Sequence, residues 1–344
     1  MDLSSWPWWL FAASAGLGWL LTGVLRRYAL ARNVLDVPNA RSSHRQPTPR
    51  GGGIAFVISF VVGLGALWLW GGVTSSLACA LAGAGTWVAL VGFLDDHGHI
   101  QARWRLMAHF AAAAWVLAWL GGSPPLALGS ISVQLGAVGI VLAAFYLVWL
   151  LNLYNFMDGI DGLASVEAIC VVVGAAVLYT LVGQSAQAAV CLLLGSAVAG
   201  FLIWNFPPAR IFMGDGGSGF LGIMLGALSL QAGWNSTVLL WGWLILLGVF
   251  VVDATMTLLR RLLRGDKVYE AHRTHAYQYA SRRLKSHKTV TLSVLVINIF
   301  WLLPLAALVA VQWLPGWLGA LLAYAPLLAL ALFLGAGRPE TDPG

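Results

Sequence analysis

Asparagine and aspartate recur at every third position near the middle of this chain. Asn152, Asn155, Asp158 and Asp161 follow this spacing, and each of the two aspartates is followed by glycine. Residues three apart are neighbours on a helix surface, so these polar side chains spread over one face. The two glycines loosen the helix and let the backbone come close to a ligand. The pattern therefore predicts a ligand-binding site where the preceding apolar segment ends.

Carboxylates at two other places could bind a metal ion. Asp95 and Asp96 are adjacent at the end of an apolar segment, where charge is costly unless it is paired or metal-bound. Metal binding or acid–base chemistry is the favoured interpretation, and a salt bridge to Arg103 is the alternative. Asp215 lies in a glycine-rich turn before a helix. It is a candidate Mg²⁺ ligand, because Mg²⁺ takes one or two carboxylates together with substrate phosphates; a turn cap is the alternative.

Residues 36–53 could hold phosphate groups. This segment combines three arginines, several hydroxyl side chains and a glycine triplet that opens a helix. Such groups bind phosphate oxygens well. The candidates are Arg45, Thr48 and Arg50. A set of basic anchors at a membrane surface is the alternative, which would explain the arginines but not the glycines.

A histidine-containing segment follows much later, at residues 270–278. It includes His272, Arg273 and His275. A zinc site is disfavoured, because the usual cysteine or additional histidine ligands are missing from the segment. Contacts to a nucleotide or a diphosphate fit these side chains better.

The elements that must position these residues are predicted to be membrane helices. Of the 344 residues, 60% are hydrophobic and 9% are charged, and the mean hydropathy is +0.82. A soluble domain carries about a quarter charged residues, so an ordinary globular fold is excluded. The apolar runs are continuous, whereas barrel strands would alternate. We predict an all-α, polytopic fold with eleven transmembrane helices, at 6–25, 53–71, 76–94, 104–121, 136–153, 163–182, 186–204, 217–231, 237–259, 290–311 and 316–335.

The basic residues indicate how these helices are oriented. With the N-terminus outside, all 19 Lys and Arg residues fall in inward loops or in the C-terminal tail. This is the distribution that the positive-inside rule requires, so the C-terminus and the polar motifs are predicted to be cytoplasmic. The net charge of +6 then reflects topology. Nucleic acid is not an expected partner, because no basic groove interleaved with aromatic residues is present.

A single membrane domain, residues 1–335, is predicted, followed by a polar tail at 336–344 that is expected to be disordered. Glu167 and Asp253 lie inside predicted spans. Such acids mark functional sites by default, which makes a secondary transporter the alternative class, and an ion pair with a nearby arginine would also explain them. The concentration of polar motifs at one membrane face argues against a transporter, whose sites lie near mid-membrane.

Taken together, these motifs resemble those of the polyprenyl-phosphate N-acetylhexosamine-1-phosphate transferase family, which is related to the phospho-MurNAc-pentapeptide translocase. The similarity covers roughly residues 26–290. In the last segment only Arg273 and His275 match the family pattern. The other segments that carry the resemblance are Arg-Ser-Ser-His with Pro-Thr-Pro-Arg-Gly-Gly-Gly, the Asp-Asp pair, Asn-x-x-Asn-x-x-Asp-Gly-x-Asp-Gly, and Asn-Phe-Pro-Pro-Ala-Arg-Ile-Phe-Met-Gly-Asp.

The resemblance implies a Mg²⁺-dependent phosphoglycosyltransferase, with Mn²⁺ as an alternative ion. Such an enzyme transfers a HexNAc-1-phosphate from a UDP-sugar to undecaprenyl phosphate and releases UMP. The resemblance makes Asp95 the candidate base and Asp96 its partner, which is also a second candidate metal ligand beside Asp215. His275 is the third expected catalytic residue. The expected substrate contacts come from Asn152, Asn155, Asp158, Asp161, Asn205, Arg45, Thr48, Arg50, Arg103 and Arg273.

The departure in the last segment resembles a subgroup that uses 6-deoxy donors such as UDP-FucNAc or UDP-QuiNAc, and UDP-GlcNAc is the alternative. The family implies a bacterial inner-membrane enzyme with a cytoplasmic active site. Its product would begin an O-antigen-like surface glycan, as in lipopolysaccharide synthesis. A homodimer is left open.

Overall fold

The computed structural model describes residues 6–38, 46–98, 100–128, 131–266 and 272–339, and these residues are mainly helical. A π-helical turn at Asn298–Leu302 joins the helix His287–Ile297 to the helix Leu303–Ala310. The helices are α1 Trp8–Ala31, α2 Ile54–Leu69, α3 Ser75–His97, α4 Ala102–Leu120, α5 Gly136–Met157, α6 Leu163–Leu181, α7 Ser185–Asn205, α8 Asp215–Asn235, α9 Thr237–Leu246, α10 Gly248–Leu263, α11 Ala276–Leu284, α12 His287–Ile297, α13 Leu303–Ala310 and α14 Gly316–Leu334.

Two short antiparallel hairpins complete the described structure. Strand β1 (Leu35–Asp36) pairs with β2 (Thr48–Pro49). Strand β3 (Leu126–Leu128) pairs with β4 (Ile131–Val133), where the sequence predicts a small hairpin.

Each predicted apolar span is helical in the structure. Among the described residues, 7 helices are long and apolar enough to cross a membrane, and the pair α9 and α10, bent by 68°, would make an eighth. Helix α2, with 16 residues, is short for a full crossing. The polytopic helical class is therefore confirmed, whereas the count of eleven and the orientation stay predictions.

Helix α8 lies at the centre because small residues let its neighbours approach its backbone. A Cβ atom added at Gly222 would lie 2.5 Å from the Leu150 carbonyl oxygen on α5. A Cβ atom added at Gly92 on α3 would lie 2.4 Å from the Gly216 amide nitrogen at the start of α8. Helices α3 and α5 therefore end beside the residue where α8 begins. This packing brings the polar ends of the three helices together.

The two acids inside predicted spans have partners within the protein. Glu167 Oε2 accepts a hydrogen bond from Asn298 Nδ2 at 2.6 Å, at the π-helical turn. Asp253 accepts from the amides of Ala276 and Tyr277 at 2.9 and 3.0 Å, and so caps the N-terminus of α11. Asp253 Oδ1 also lies 3.3 Å from His275 Nδ1, and among the described residues no arginine pairs with it, which was the sequence alternative.

The start of the predicted disordered tail is instead fixed by hydrogen bonds. The Gly337 amide donates to the Thr274 carbonyl at 2.7 Å. Arg260 donates to the Ala336 carbonyl at 2.9 Å, and the Tyr279 hydroxyl donates to the Arg338 carbonyl at 2.9 Å. The chain after α14 therefore closes against the segment that carries His275. The rest of the predicted tail, 340–344, lies outside the described residues.

Candidate active site

Three aspartates from two separate sequence motifs meet at the ends of α3 and α8. Asp95 and Asp96 lie in the last turn of α3, and Asp215 is the first residue of α8. The Asp215 amide donates to Asp96 Oδ1 at 3.2 Å. The side chains of Asp96, Asp95 and Asp215 are 1%, 6% and 21% exposed. Asp215 is thus the most accessible of three crowded carboxylates.

Two arginines hold this cluster together. Arg50 Nε lies 2.8 Å from Asp96 Oδ1, and its Nη2 lies 2.6 Å from Asp215 Oδ1. Arg105 pairs with Asp95 and lies 3.5 Å from Asp215 Oδ2. Burial alone would lower the pKa of Arg50, but the carboxylates of Asp215 and Asp96 raise it above its usual range. Three carboxylates face two guanidiniums, which leaves an excess of one negative charge.

The glycine triplet positions Arg50 through the backbone. The Gly52 and Gly53 amides donate to the carbonyls of Phe212 and Met213 at 2.9 and 2.8 Å. A Cβ atom added at Gly53 would lie 2.5 Å from Gly217 Cα. These amides are already paired, so the predicted phosphate contact from the glycines is replaced by a packing role.

Of the other phosphate candidates in this segment, Thr48 is buried in β2 and its hydroxyl donates to the Gln46 carbonyl at 3.0 Å. The structure shows this local hydrogen bond, and the substrate contact of Thr48 stays a prediction. Arg45 lies outside the described residues.

The first two asparagines of the repeated motif line a pocket beside the carboxylates. The pocket is bordered by Asn152, Asn155, Asp95, Arg105 and Asp215. Asn152 donates to the Val148 carbonyl at 2.7 Å, which fixes its amide on α5. The polar wall of the pocket therefore combines carboxylate, guanidinium and amide groups.

The motif's two aspartates have different surroundings. Burial raises the pKa of Asp158 well above its usual range, and the carboxylates of Asp215, Asp96 and Asp161 raise it further, against an opposing effect of Arg50. The protonated form of Asp158 is therefore stabilised relative to that of an exposed aspartate. Asp161 accepts from the Ala209 amide at 3.0 Å and lies 3.2 Å from His287 Nδ1. Asp161 thus connects the turn after α7 to α12.

Asn205 has a similar connecting role. Its side-chain oxygen accepts from the Gly162 amide at 3.1 Å, and its Nδ2 donates to the Ile211 carbonyl at 3.0 Å. The residue is buried. Both ends of its amide group are bonded within the protein, so Asn205 positions the Gly162 and Ile211 backbone; its substrate contact stays a prediction.

Arg103 is not part of the carboxylate cluster. Its side chain is exposed and its Cζ lies 5.5 Å from the centre of the Trp104 ring. Arg105 occupies the site instead. Two residues on a helix differ by about 200° in direction, so the two side chains leave opposite faces of α4. The sequence did not show which of the two arginines meets the carboxylates, because the direction of α4 relative to α3 decides it; the substrate contact of Arg103 stays a prediction.

His275 is held behind the pocket. Its side chain is 1% exposed, its Nδ1 lies 3.3 Å from Asp253 Oδ1, and its ring stacks 6.4 Å from that of Phe156. Among the residues that the structure describes, none is a hydrogen-bond partner of His275 Nε2. Phe156 borders the pocket, so the predicted catalytic histidine is separated from it by one side chain.

His272 and Arg273, which are close to His275 in the sequence, are both partly buried but differ in charge. Burial, with His275 and Arg261 nearby, lowers the pKa of His272 to about 3, so this ring is neutral near pH 7. Arg273 is partly buried, and its carbonyl accepts from Arg282 at 3.0 Å. That Asp253 orients this segment could not be predicted from the sequence, because the two lie on different elements.

The donor set fits a magnesium ion only together with a phosphate ligand. Within the described ranges, no group of three or more His, Cys, Asp or Glu side chains is arranged to hold a metal ion. Asp96 Oδ2 is buried without a hydrogen-bond partner, and a Cβ atom added at Gly214 would lie 2.5 Å from it. Mg²⁺ usually binds one or two carboxylates and completes its shell with phosphate and water, which suits Asp96 and Asp215.

The chain is similar to known proteins. A family model described as Glycosyl transferase family 4 matches residues 78–233. The chain is 29% identical over 288 residues to the probable undecaprenyl-phosphate N-acetylglucosaminyl 1-phosphate transferase of Bacillus subtilis. The matched region covers 81% of this chain and 77% of that relative. It is 30% identical over 312 residues to the decaprenyl-phosphate N-acetylglucosaminephosphotransferase of Mycolicibacterium smegmatis, with 78% and 75% covered. A phospho-N-acetylmuramoyl-pentapeptide-transferase of Streptococcus thermophilus is 32% identical over 164 residues, 44% of this chain and 48% of that relative.

Proposed function

Because this chain belongs to the polyprenyl-phosphate N-acetylhexosamine-1-phosphate transferase family, we propose that it transfers a HexNAc-1-phosphate from a UDP-sugar to undecaprenyl phosphate and releases UMP. The donor is UDP-GlcNAc or a 6-deoxy relative such as UDP-FucNAc or UDP-QuiNAc. The reaction takes place at the cytoplasmic face of a bacterial inner membrane. Its product begins a surface glycan of the O-antigen type.

One observation carries this proposal above the others. Asp95, Asp96 and Asp215 are held together by Arg50 and Arg105, beside a pocket lined by Asn152 and Asn155. Phosphoryl transfer requires little covalent chemistry from the protein and depends on positioning and charge stabilisation. A cluster of fixed, opposite charges is suited to that task.

In the reaction, an oxygen of the lipid phosphate attacks the sugar-linked phosphorus of the donor. A new P–O–P bond forms, the bond to the bridging oxygen of UMP breaks, and the electron pair leaves with the UMP phosphate. A phosphate monoester has a second pKa near 6, so the nucleophile is largely anionic at neutral pH. Asp95 is bonded to Arg105 and to the Ile100 amide. We therefore assign it to orienting Arg105 and not to removing a proton.

Asp215 and Asp96 would hold a Mg²⁺ ion, which when bound offsets charge on the donor diphosphate. Arg50 and Arg105 already contact these carboxylates and would face the diphosphate from the protein side. Asn152 and Asn155 would contact the donor along the pocket wall. Phe156 lies between His275 and the pocket. His275 would contact the donor if the Phe156 side chain moved aside.

UMP release by the purified full-length protein tests this function. The protein is given undecaprenyl phosphate, Mg²⁺ and a panel of UDP-HexNAc donors. UMP release that requires both lipid and metal, and that Asp215→Ala abolishes without changing thermal stability, is the expected result. Asp266→Ala is the matched control, because Asp266 pairs with Arg264 away from the cluster. No release with any donor from folded protein would contradict the proposal.

A further inference from the structure

Two arginines from distant parts of the chain meet over one tryptophan, away from the carboxylate cluster. Arg26 lies near the end of α1, and Arg210 lies in the turn after α7. Their Cζ atoms lie 6.0 and 5.9 Å from the centre of the Trp204 ring. The pocket described above is instead bordered by residues of α3, α4, α5 and α8. The two arginines therefore form a separate feature on the α1–α7 side of the molecule.

The positions of these side chains are fixed by hydrogen bonds. Arg26 Nε donates to the Arg210 carbonyl at 3.2 Å. The Arg210 amide donates to the Trp204 carbonyl at 2.8 Å, and the Trp204 indole donates to the Trp19 carbonyl at 3.0 Å. Gly23 allows this arrangement, because a Cβ atom added there would lie 3.2 Å from the Trp204 ring. The Arg26 guanidinium is thus bonded to the backbone of Arg210, and the two Cζ atoms lie 6.0 and 5.9 Å from the centre of the same indole ring.

The charges of the two guanidiniums are not balanced by the part of the protein that the structure describes. Neither Arg26 nor Arg210 has a carboxylate partner among the described residues. Two positive charges beside one indole ring, without a counter-charge, favour binding of an anion. A phosphate group accepts several N–H donors at once and matches guanidinium geometry. The two arginines are therefore suited to bind an anionic ligand at the membrane surface.

The surroundings indicate a lipid as the source of that phosphate. Val24 and Ile203, on the same helix ends, are 59% and 64% exposed, as expected for residues that face acyl chains. Tryptophan is favoured at the membrane–water interface, where headgroups lie. An arginine near the surface attracts anionic lipid, and the effect is local.

We propose that Arg26, Trp204 and Arg210 bind the phosphate headgroup of an anionic glycerophospholipid. The turn that carries Arg210 is bonded to the site region, since the Ala209 amide donates to Asp161 and the Ile211 carbonyl accepts from Asn205. A bound headgroup therefore steadies the turn that leads to Asp215. A dependence of transferase activity on anionic lipid follows from this; that consequence rests on the proposed function, whereas the lipid site does not.

Photocrosslinking tests the site without any enzyme assay. The full chain is placed in phosphatidylcholine nanodiscs that contain a small fraction of phosphatidylglycerol with a photoreactive acyl chain, and labelled peptides are mapped. Labelling at the ends of α1 and α7 is expected, with a loss of roughly tenfold or more in the Arg26→Gln, Arg210→Gln double variant. Arg26→Lys, which keeps the charge, retains most of the labelling. Arg27→Gln is the matched control, because Arg27 is exposed on the same helix and should leave labelling unchanged.

Competition identifies the phosphate source. Unlabelled phosphatidylglycerol should suppress the labelling, and inorganic phosphate at equal concentration should not. Suppression by undecaprenyl phosphate but not by phosphatidylglycerol would overturn the proposal and assign the pair to the acceptor lipid. Equal labelling in the double variant and the parent, with unchanged thermal stability, would also overturn it. A protein that labels as expected but transfers no sugar would contradict the proposed function alone.

Discussion

At the scale of single residues, the candidate site depends on a balance of five charges. Asp95, Asp96 and Asp215 are close enough to repel one another, and Arg50 and Arg105 hold them in place. The sequence indicated all three aspartates and Arg50, because their motifs end apolar segments or occupy glycine-rich turns. It did not indicate Arg105, since which face of α4 meets α3 is decided by packing between helices.

Arg105 and Arg103 form a natural comparison, since they are two residues apart on one helix. We expect Arg105→Gln to lower kcat/KM by about 100-fold, a loss comparable to removing one preorganised donor in other enzymes. Arg103→Gln should change kcat/KM by no more than about twofold, because Arg103 contacts only Trp104. Steady-state kinetics of both variants measures this, with thermal unfolding to show that each is folded. Equal losses in the two variants would contradict the assignment of Arg105 to the site.

At the scale of helices, the site depends on close contacts between backbones. Gly92 on α3 and Gly53 before α2 leave no room for a side chain against the start of α8. These glycines are visible in the sequence, but forty glycines are present and only packing shows which are needed. The glycine triplet was predicted to bind phosphate, and the structure instead uses it to place Arg50.

Gly92 and Gly65 separate a packing glycine from a neutral one. A Cβ atom at Gly92 would lie 2.4 Å from the Gly216 amide nitrogen, whereas one at Gly65 on α2 would meet nothing within 4 Å. We expect Gly92→Ala to cost about 1–3 kcal/mol, or more, and to reduce activity by moving α3 from α8. Gly65→Ala should be neutral or slightly stabilising, because alanine favours a helix over glycine. Thermal unfolding in detergent measures the difference, and similar midpoints for the two variants would contradict the packing account.

At the scale of the whole molecule, the helical membrane class followed from composition, because continuous apolar runs with few charges have few other structures available. Each predicted run became a helix, and the boundaries moved by a few residues. The bend between α9 and α10 and the π-helical turn could not be predicted. No proline or polar break marks the first. The second begins at Asn298 and precedes Pro304, but neither residue interrupts the long apolar span enough to indicate a π-helical turn. The ordered start of the tail was missed for a related reason, since arginines far away in the chain donate hydrogen bonds to its carbonyl oxygens.

The predicted orientation has a direct test in thiol labelling. A variant lacking the native cysteines carries one cysteine, at Gln134 or at Lys288, which are both exposed. An impermeant maleimide should label Gln134→Cys in intact cells and Lys288→Cys only in inside-out vesicles. The reverse pattern would place the candidate site outside the cell, where no UDP-sugar is expected.

In the proposed reaction a sugar phosphate, and not a sugar alone, moves to the lipid. The decisive measurement uses a UDP-HexNAc donor labelled with ³²P at either of its two phosphorus atoms, together with undecaprenyl phosphate and Mg²⁺. Phosphorus next to the sugar should enter the lipid fraction, and phosphorus next to uridine should remain in water as UMP. If both labels stay in water as UDP while sugar enters the lipid, the protein is a simple glycosyltransferase and the account is wrong.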